Sequence, residues 1–332
     1  MDDFFFMDLA LSEAWRYQLL TYPNPAVGAV VVENGKILSI EAHQKSGFSH
    51  AEVRALVSAY EKKSGQSVDF DKNNSSLAHN FLLSCPKDFF KEFEVFVTLE
   101  PCSHTGKTPS CANLLAKLKP KRVVVGTLDP IKSHSGGVEV LKNSKIDVKI
   151  GVEEKRAKDL IEPFIIWQKR AFVIFKIAQT LNGKIGGGYL SSKESLKFTH
   201  KIREVVDYLL IGGNTVRVDR PTLNCRFSDP KKAPDIQIYS KEKKFDKSIP
   251  LFNEPNRDVK IVDSLNFDRA GLVLVEGGEG MLKALVDRID WFLIVLTPKL
   301  SDNKISYNLN RSIDFLHQQR VGKDYMIWSR CE

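Results

Sequence analysis

The chain has 332 residues, of which 42% are hydrophobic and 27% charged, and it carries a formal net charge of +8 with a pI near 9.1. This length suggests two domains, and the composition is that of an ordinary soluble protein rather than a disordered or fibrous one. Lys and Arg are spread along the chain instead of gathered in one arm, so the charge points to anionic small substrates rather than nucleic acid, and no apolar run is long enough to cross a bilayer, so no membrane partner is expected.

The opening Met1-Asp2-Asp3-Phe4-Phe5-Phe6-Met7 is acidic with a short apolar run, which argues against a signal peptide. Apolar residues from Met7 to Leu20 recur at roughly helical spacing and predict a first helix. In Pro23-Asn24-Pro25-Ala26-Val27-Gly28 the prolines hold the segment open, and Asn24 serves either a turn or a ring substrate. Ala29 to Val32 and Lys36 to Ile40 predict a hairpin around Glu33-Asn34-Gly35. His50-Ala51-Glu52 opens a helix that continues from Val53 to Tyr60. Residues 61–92 carry no clear pattern, and Lys72-Asn73-Asn74-Ser75-Ser76 reads as a loop. Val95 to Leu99 reads as a strand, Asn113 to Leu118 as a helix.

Between that strand and that helix lies Pro101-Cys102-Ser103-His104-Thr105-Gly106-Lys107-Thr108-Pro109-Ser110-Cys111. Alone, a His-x-Glu arises by chance and a buried Cys is usually a small packing residue. Together, His50, Cys102 and Cys111 supply three zinc ligands, which leaves a fourth position for water and marks a catalytic site. Glu52 is placed to move a proton between that water and a leaving amine without binding the metal. His-x-Glu followed by Pro-Cys and a second Cys is the signature of zinc nucleobase deaminases. There two residues separate the cysteines, whereas Cys102 and Cys111 are nine positions apart. The remaining cysteines, Cys85, Cys225 and Cys331, bring the total to an odd five, which argues against a disulfide framework and fits a reducing cytoplasm.

Further on, Arg122 to Gly126 and Val148 to Val152 read as strands, and Asp129-Pro130 and Gly136-Gly137 as turns. The alternation of helix and strand predicts an α/β first domain over residues 1–151. A charged helix, Glu153 to Gln168, bridges to a second domain over residues 152–332. That half opens with the strand Val173 to Ala178 and the glycine-rich run Gln179 to Gly188, which alone reads as a flexible loop. Ser195 to Val206 reads as a helix and Tyr208 to Gly213 as a strand. Gly271 to Val275 reads as a strand entering Glu276-Gly277-Gly278-Glu279-Gly280, with a helix opening at Met281. Strand, glycine-rich turn and helix N-terminus together make a phosphate site, without the fingerprint of a Rossmann dinucleotide domain.

These segments together resemble the bifunctional riboflavin-biosynthesis enzymes, a pyrimidine deaminase fused to a reductase, over nearly the whole chain. The deaminase half rests on residues 23–28, 50–52 and 101–111, whose long cysteine spacing is that family's own variant; the reductase half rests on 176–184, 212–226 and 276–278. The resemblance implies a cytidine-deaminase-like α/β/α domain followed by a dihydrofolate-reductase-like α/β domain. It implies zinc at His50, Cys102 and Cys111, proton transfer by Glu52, and removal of the 2-amino group of 2,5-diamino-6-ribosylamino-4(3H)-pyrimidinone 5′-phosphate. NADPH then reduces the opened ribose to ribitol. Gln179, Tyr189, Thr215, Asp219, Ser240 and the turn Gly278, Glu279, Gly280 fall at the family's cofactor positions. Asn24, Arg203, Leu223, Arg226 and Glu276 fall at substrate positions, with Arg203 and Arg226 suited to a phosphate clamp. For Asp219 a turn role before Pro221 weighs about equally. Tyr189 stands where Trp is frequent, Asn182 where Asp is usual, Gly187 where Ser often contacts substrate, and Gln179 where a small residue is usual. Residues 61–92 are longer than the family's spacing requires. The expected partner is a phosphorylated pyrimidine; a homo-oligomer is left open. A nucleic-acid deaminase is the competing reading, disfavoured because the second half lacks clustered Lys/Arg and an aromatic RNA-binding signature.

Overall fold

The computed structural model describes residues 2–86, 88–104, 106, 108–186, 188–229 and 231–332. Thr105 and Lys107 of the cysteine motif, and the departure at Gly187, lie outside the described residues. The chain divides into two compact units, Met1–Ile165 and Ile166–Glu332.

The first unit opens with helix α1 (Asp3–Trp15), earlier than predicted because Asp2 caps it by accepting from the Phe5 amide at 3.0 Å. Strands β1 (Gly28–Glu33) and β2 (Lys36–Ala42) form the expected hairpin, with Glu33 opposite Lys36 and both Asn34 and Gly35 at positive φ. Helix α2 (Ala51–Ser64) is followed by α3 (Ser75–Ser84), so residues 72–74 form the expected loop while Ser75 and Ser76 belong to a helix. Asn74 caps α3 through its side chain, a polar signal that reads equally as a loop. Strand β3 (Phe93–Leu99), helix α4 (Cys111–Leu118), strand β4 (Arg122–Thr127), helix α5 (Gly137–Asn143) and strand β5 (Asp147–Ile150) complete the sheet in the order β2-β1-β3-β4-β5. Gly136-Gly137 is thus a helix entry rather than an isolated turn; a Cβ on Gly137 would lie 1.7 Å from the Pro101 carbonyl oxygen, so only glycine lets α5 approach the cysteine segment.

β1 is antiparallel to β2 and β3, while β3, β4 and β5 run parallel. Both faces of the sheet are covered. Ala29, Val31, Val95, Val97, Val123 and Val125 pack with apolar residues of α2 to α5. On the alternate face Phe96 meets Phe6 of α1, with ring centroids 4.9 Å apart. Helix α6 (Glu154–Trp167), read as a bridge, belongs to this unit for most of its length. Ala157, Leu160, Ile161 and Phe164 are buried, and Gln18 donates to the Leu160 carbonyl at 2.7 Å. The division therefore falls after the expected position 151: the helix's surface charges mask a narrow apolar stripe.

The second unit contains β6 (Ala171–Thr180), α7 (Lys193–Arg203), β7 (Tyr208–Gly212), α8 (Gly213–Asp219), β8 (Ile236–Tyr239), β9 (Val259–Val262), β10 (Gly271–Glu276), α9 (Glu279–Leu285), β11 (Trp291–Thr297), β12 (Ile313–Val321) and β13 (Asp324–Cys331). Its sheet order is β12-β13-β11-β6-β10-β7-β8-β9. The six strands from β11 to β9 in that order are parallel, and the β12–β13 pair is antiparallel. Gln179 and Thr180, expected in a loop, are the last residues of β6.

Candidate active sites

Three chain ends converge in the first unit. His50 sits at the N-cap position of α2, Cys102 follows β3, and Cys111 is the first residue of α4, whose cap Ser110 accepts from the Asn113 amide. His50 Nδ1 lies 3.6 Å from Cys102 Sγ and 3.4 Å from Cys111 Sγ. All three donor atoms lie within 4.8 Å of one another, and no other such group of His, Cys, Asp or Glu occurs among the described residues. Zinc–sulfur and zinc–nitrogen bonds at tetrahedral angles put N and S about 3.6 Å apart, so the donor set fits the metal. The contacts to Cys111 and His50 hold the Cys102 thiol well below its ordinary range, the thiolate form that a metal requires. His50 is lowered by burial, but the neighbouring Cys102 more than reverses this.

Glu52, in the first turn of α2, is buried, and burial raises its carboxyl above the ordinary range. Asn24 joins the same site through a residue with no assigned role in the sequence reading. His43 is held neutral, its pKa lowered to about 3 by burial and by His50. Its Nδ1 faces the Ser49 carbonyl at 3.2 Å, so Nδ1 carries the proton and Nε2 accepts from Asn24 Nδ2 at 3.2 Å. That bond leaves the Asn24 amide oxygen free for a ligand. Thr108 Oγ1 stands 3.0 Å from His50 Nε2 and orients the ring. Glu100, also missed, accepts from the amides of Asp129, Gly136 and Val138 at 3.1, 3.0 and 2.9 Å, and so fixes the segment behind Pro101-Cys102.

In the second unit several of the expected cofactor and substrate residues lie at or just after the carboxyl ends of the parallel strands, where open α/β sheets bind ligands. Gln179 ends β6, Glu276 ends β10, Thr215 lies in α8 directly after β7, and Ser240 follows β8. Gly278 to Gly280 carry the chain from β10 into α9. Gly213 packs so closely on Ser240 that a Cβ there would approach its side chain to 2.6 Å. Asp219 is exposed at the end of α8. Gln179 accepts from the Tyr307 hydroxyl. Leu223 is buried at positive φ, its carbonyl held by Arg257.

The two arginines differ. Arg203 is buried and committed: Nε and Nη2 donate to the two Glu276 oxygens at 2.9 and 2.7 Å, and Nη1 to the Asn224 carbonyl at 3.0 Å. Arg226 is exposed, with Nη1 on Asn224 Oδ1 at 3.0 Å and Nη2 on the Tyr189 hydroxyl. The departure at Asn182 also has a physical reason. Its amide nitrogen donates to the Ser301 carbonyl at 2.8 Å, a bond a carboxylate could not make.

Lys176 opens the stretch 176–184 but has no individual role in the sequence pattern. It pairs in register with Glu276 on the neighbouring strand, and burial, reinforced by Arg203 and opposed by Glu276, lowers its pKa. A perturbed lysine in a ligand crevice is a functional candidate, and the signal was available as a lone cation inside Val173 to Ala178. A cavity of about 310 Å³ lined by Arg203, Asp207, Lys232 and Asp235 lies elsewhere, toward the amino ends of β7 and β8.

A zinc-deaminase unit followed by a nucleotide-type reductase unit is the class these two sites define. Residues 1–127 match the family described as cytidine and deoxycytidylate deaminase zinc-binding region, and residues 171–301 match the RibD C-terminal domain, which is dihydrofolate-reductase-like. The chain is 37% identical over 273 residues to riboflavin biosynthesis protein RibD of Aquifex aeolicus, covering 80% of this chain and 69% of that protein. It is 33% identical over 238 residues to the protein of that name from Bacillus amyloliquefaciens, covering 69% of this chain and 57% of that one. A crystal structure of a diaminohydroxyphosphoribosylaminopyrimidine deaminase/5-amino-6-(5-phosphoribosylamino)uracil reductase from Thermotoga maritima superposes with a TM-score of 0.68 at 28% identity, covering 99% of this chain and 98% of that one. The chain belongs to the RibD family of riboflavin-biosynthesis proteins. It is a bifunctional enzyme, a zinc-dependent deaminase and an NADPH-dependent reductase. No helix among the described residues is long and apolar enough to cross a membrane.

Proposed function

We propose that the first unit removes the 2-amino group of 2,5-diamino-6-ribosylamino-4(3H)-pyrimidinone 5′-phosphate and that the second reduces the ribosyl chain of the product to ribitol, in the cytoplasm. All five cysteines are free thiols, in keeping with a reducing compartment. The observation that carries the reading is the convergence of His50, Cys102 and Cys111 with a buried Glu52 beside them.

Zinc bound at that set supplies a water of lowered pKa. Glu52 takes a proton at its carboxylate and delivers it to the departing amine; its raised pKa lets the carboxyl hold the proton between those events. Asn24, fixed by His43, orients the pyrimidine through its amide oxygen. NADPH supplies the hydride of the second step. Thr215, Asp219, Ser240, the Gly278–Gly280 turn, Gln179 and Tyr189 would hold it. Arg226 meets the substrate phosphate, Leu223 lines the site, and Arg203 fixes Glu276 toward the sugar.

The test is a two-step assay with the diaminopyrimidine phosphate. Without NADPH, ammonia should be released and the deaminated ribosyl compound accumulate; with NADPH, the ribityl product should appear. Ammonia release without any reduction on adding NADPH would remove the second half of the reading.

A further inference from the structure

NADPH differs from NADH by one group, a phosphate on the 2′ position of the adenosine ribose. A reductase that uses NADPH needs a cation placed for that phosphate. None of the residues assigned above to the cofactor carries a positive charge.

Arg217 of α8 stands beside one of them. Its Nη2 donates to Ser240 Oγ at 3.4 Å, just beyond β8, and to the Glu242 carbonyl at 3.3 Å. Ser240 Oγ donates to that same carbonyl at 2.8 Å, which ties the turn together. The two segments meet because β7 and β8 run side by side, with Gly212 opposite Tyr239, and because Gly213 has no side chain. A Cβ there would lie 2.6 Å from Ser240 Oγ and 3.0 Å from Arg217 Nη1. The guanidinium carbon lies 4.2 Å from the Phe245 ring centroid, a contact that steadies the group. Lys241, Lys243 and Lys244 follow Ser240 but are exposed, and Lys243 pairs with Asp263 at 2.7 Å, whereas Arg217 is half-buried and stacked.

The same cation already faces an anion. Arg217 Nη2 lies 2.9 Å from Glu242 Oε2, whose side chain is 65% exposed. An exposed pair of this kind is weak and readily exchanged.

We propose that Arg217, positioned by Ser240, binds the 2′-phosphate of NADPH, and that the Glu242 carboxylate holds the phosphate's place until the cofactor arrives. A phosphate brings more negative charge and more acceptor oxygens than a carboxylate, and the planar guanidinium suits it, so the exchange runs toward the cofactor. NADH brings no anion to this position and gains nothing from Arg217. The proposal rests on the reductase reading given above.

Direct binding tests it, with no pyrimidine substrate present. NADPH and NADH are titrated, by the change in their own fluorescence, into the parent, Arg217→Ala, Glu242→Gln and the double variant. A parent that binds neither cofactor removes the reductase reading itself. With binding established, the parent should favour NADPH. Arg217→Ala should raise the Kd for NADPH by roughly 10- to 150-fold and leave the Kd for NADH unchanged. Glu242→Gln keeps the size of the side chain and loses its charge, so it should lower the Kd for NADPH about two- to fivefold, with no such gain once Arg217 is gone. A parent without preference between the cofactors overturns the proposal, and so does an unchanged Kd for NADPH in Arg217→Ala. An equal loss of both cofactors in that variant overturns it as well, because Arg217 would then serve a part that the two share. The Glu242→Gln arm stands even if Arg217→Ala does not fold: an unchanged Kd for NADPH there overturns the exchange.

Discussion

In the first unit, the His50 imidazole faces the thiols of Cys102 and Cys111 at 3.6 and 3.4 Å. In the second, the single carboxylate of Glu276 lies beside two cations, Arg203 and Lys176. One cluster is completed by a cation from outside; the other already holds its cations within the fold. The contrast teaches where the work of binding lies. A metal site spends its side chains on the ligand, so its residues are scarce types at fixed positions. In the second unit the buried charges pair with one another, and several of the expected ligand residues fall on turns and strand ends.

Glu52→Gln strikes the first site alone and carries the largest expected effect. An amide cannot shuttle a proton, so deamination should fall by about 10²–10⁴-fold or more while zinc stays bound. Turnover and zinc content of the same preparation check this. Reduction of already deaminated substrate should be unchanged; a parallel loss there would mean the two sites are not independent.

Arg203→Ala breaks the ion pairing of the second site. It strands the buried Glu276 carboxylate, which is held low against burial by Arg203 and Lys176. Breaking one half of such a buried pair typically costs about 3–5 kcal/mol. Denaturant unfolding should show that loss, with reduction abolished and deamination preserved in whatever fraction remains folded. A loss below 1 kcal/mol would show that the cluster is not what holds this part of the fold.

The two sites were also unequally legible. His50, Glu52, Cys102 and Cys111 could be read directly, because residue type and spacing carry the chemistry. His43 and Glu100 could not, because they act through hydrogen bonds across the fold: His43 reaches Asn24 nineteen positions away, and Glu100 reaches Val138 across thirty-eight. Most strands and helices were legible from their apolar pattern. Helix α3 was missed because its cap and first turn, Asn74-Ser75-Ser76, are residues that loops also favour. In the reductase half the arginines were visible but their partners were not: nothing in the sequence distinguishes Arg203, turned inward to Glu276, from Arg226, left at the surface.

Arg226→Ala sharpens that last distinction. Arg226 is exposed, so stability should change little, whereas a phosphate contact is worth about 1.5–3 kcal/mol. KM for the deaminated substrate should therefore rise roughly 10- to 150-fold with a smaller change in kcat. An unchanged KM would return the phosphate to another residue.

The smallest expected effect concerns His200, which borders the Arg203–Glu276 pair. Burial first, and then the Arg203 charge, lower its pKa to about 4, against 6.5 for an ordinary histidine. Below pH 6.5 the unfolded chain takes up this proton before the folded chain does, so folding stability falls as pH drops toward 4 and is fully present above 6.5. One such group contributes a slope of at most about 1.4 kcal/mol per pH unit. Glu276 also has a lowered pKa, but its ordinary value of 4.5 puts its own loss below that pH, and His43, lowered to about 3, contributes equally to parent and variant, so the comparison isolates His200. Replacing His200 with Gln removes the titration and keeps a polar side chain near the Phe227 amide, which faces His200 Nδ1 at 3.3 Å. The difference in unfolding free energy between parent and His200→Gln, measured from pH 4.5 to 7.5, should therefore shift toward the variant as pH falls and level off above 6.5. A difference that does not vary with pH would mean that His200 titrates in the fold as it does in the unfolded chain, and burial beside Arg203 would then not hold it neutral.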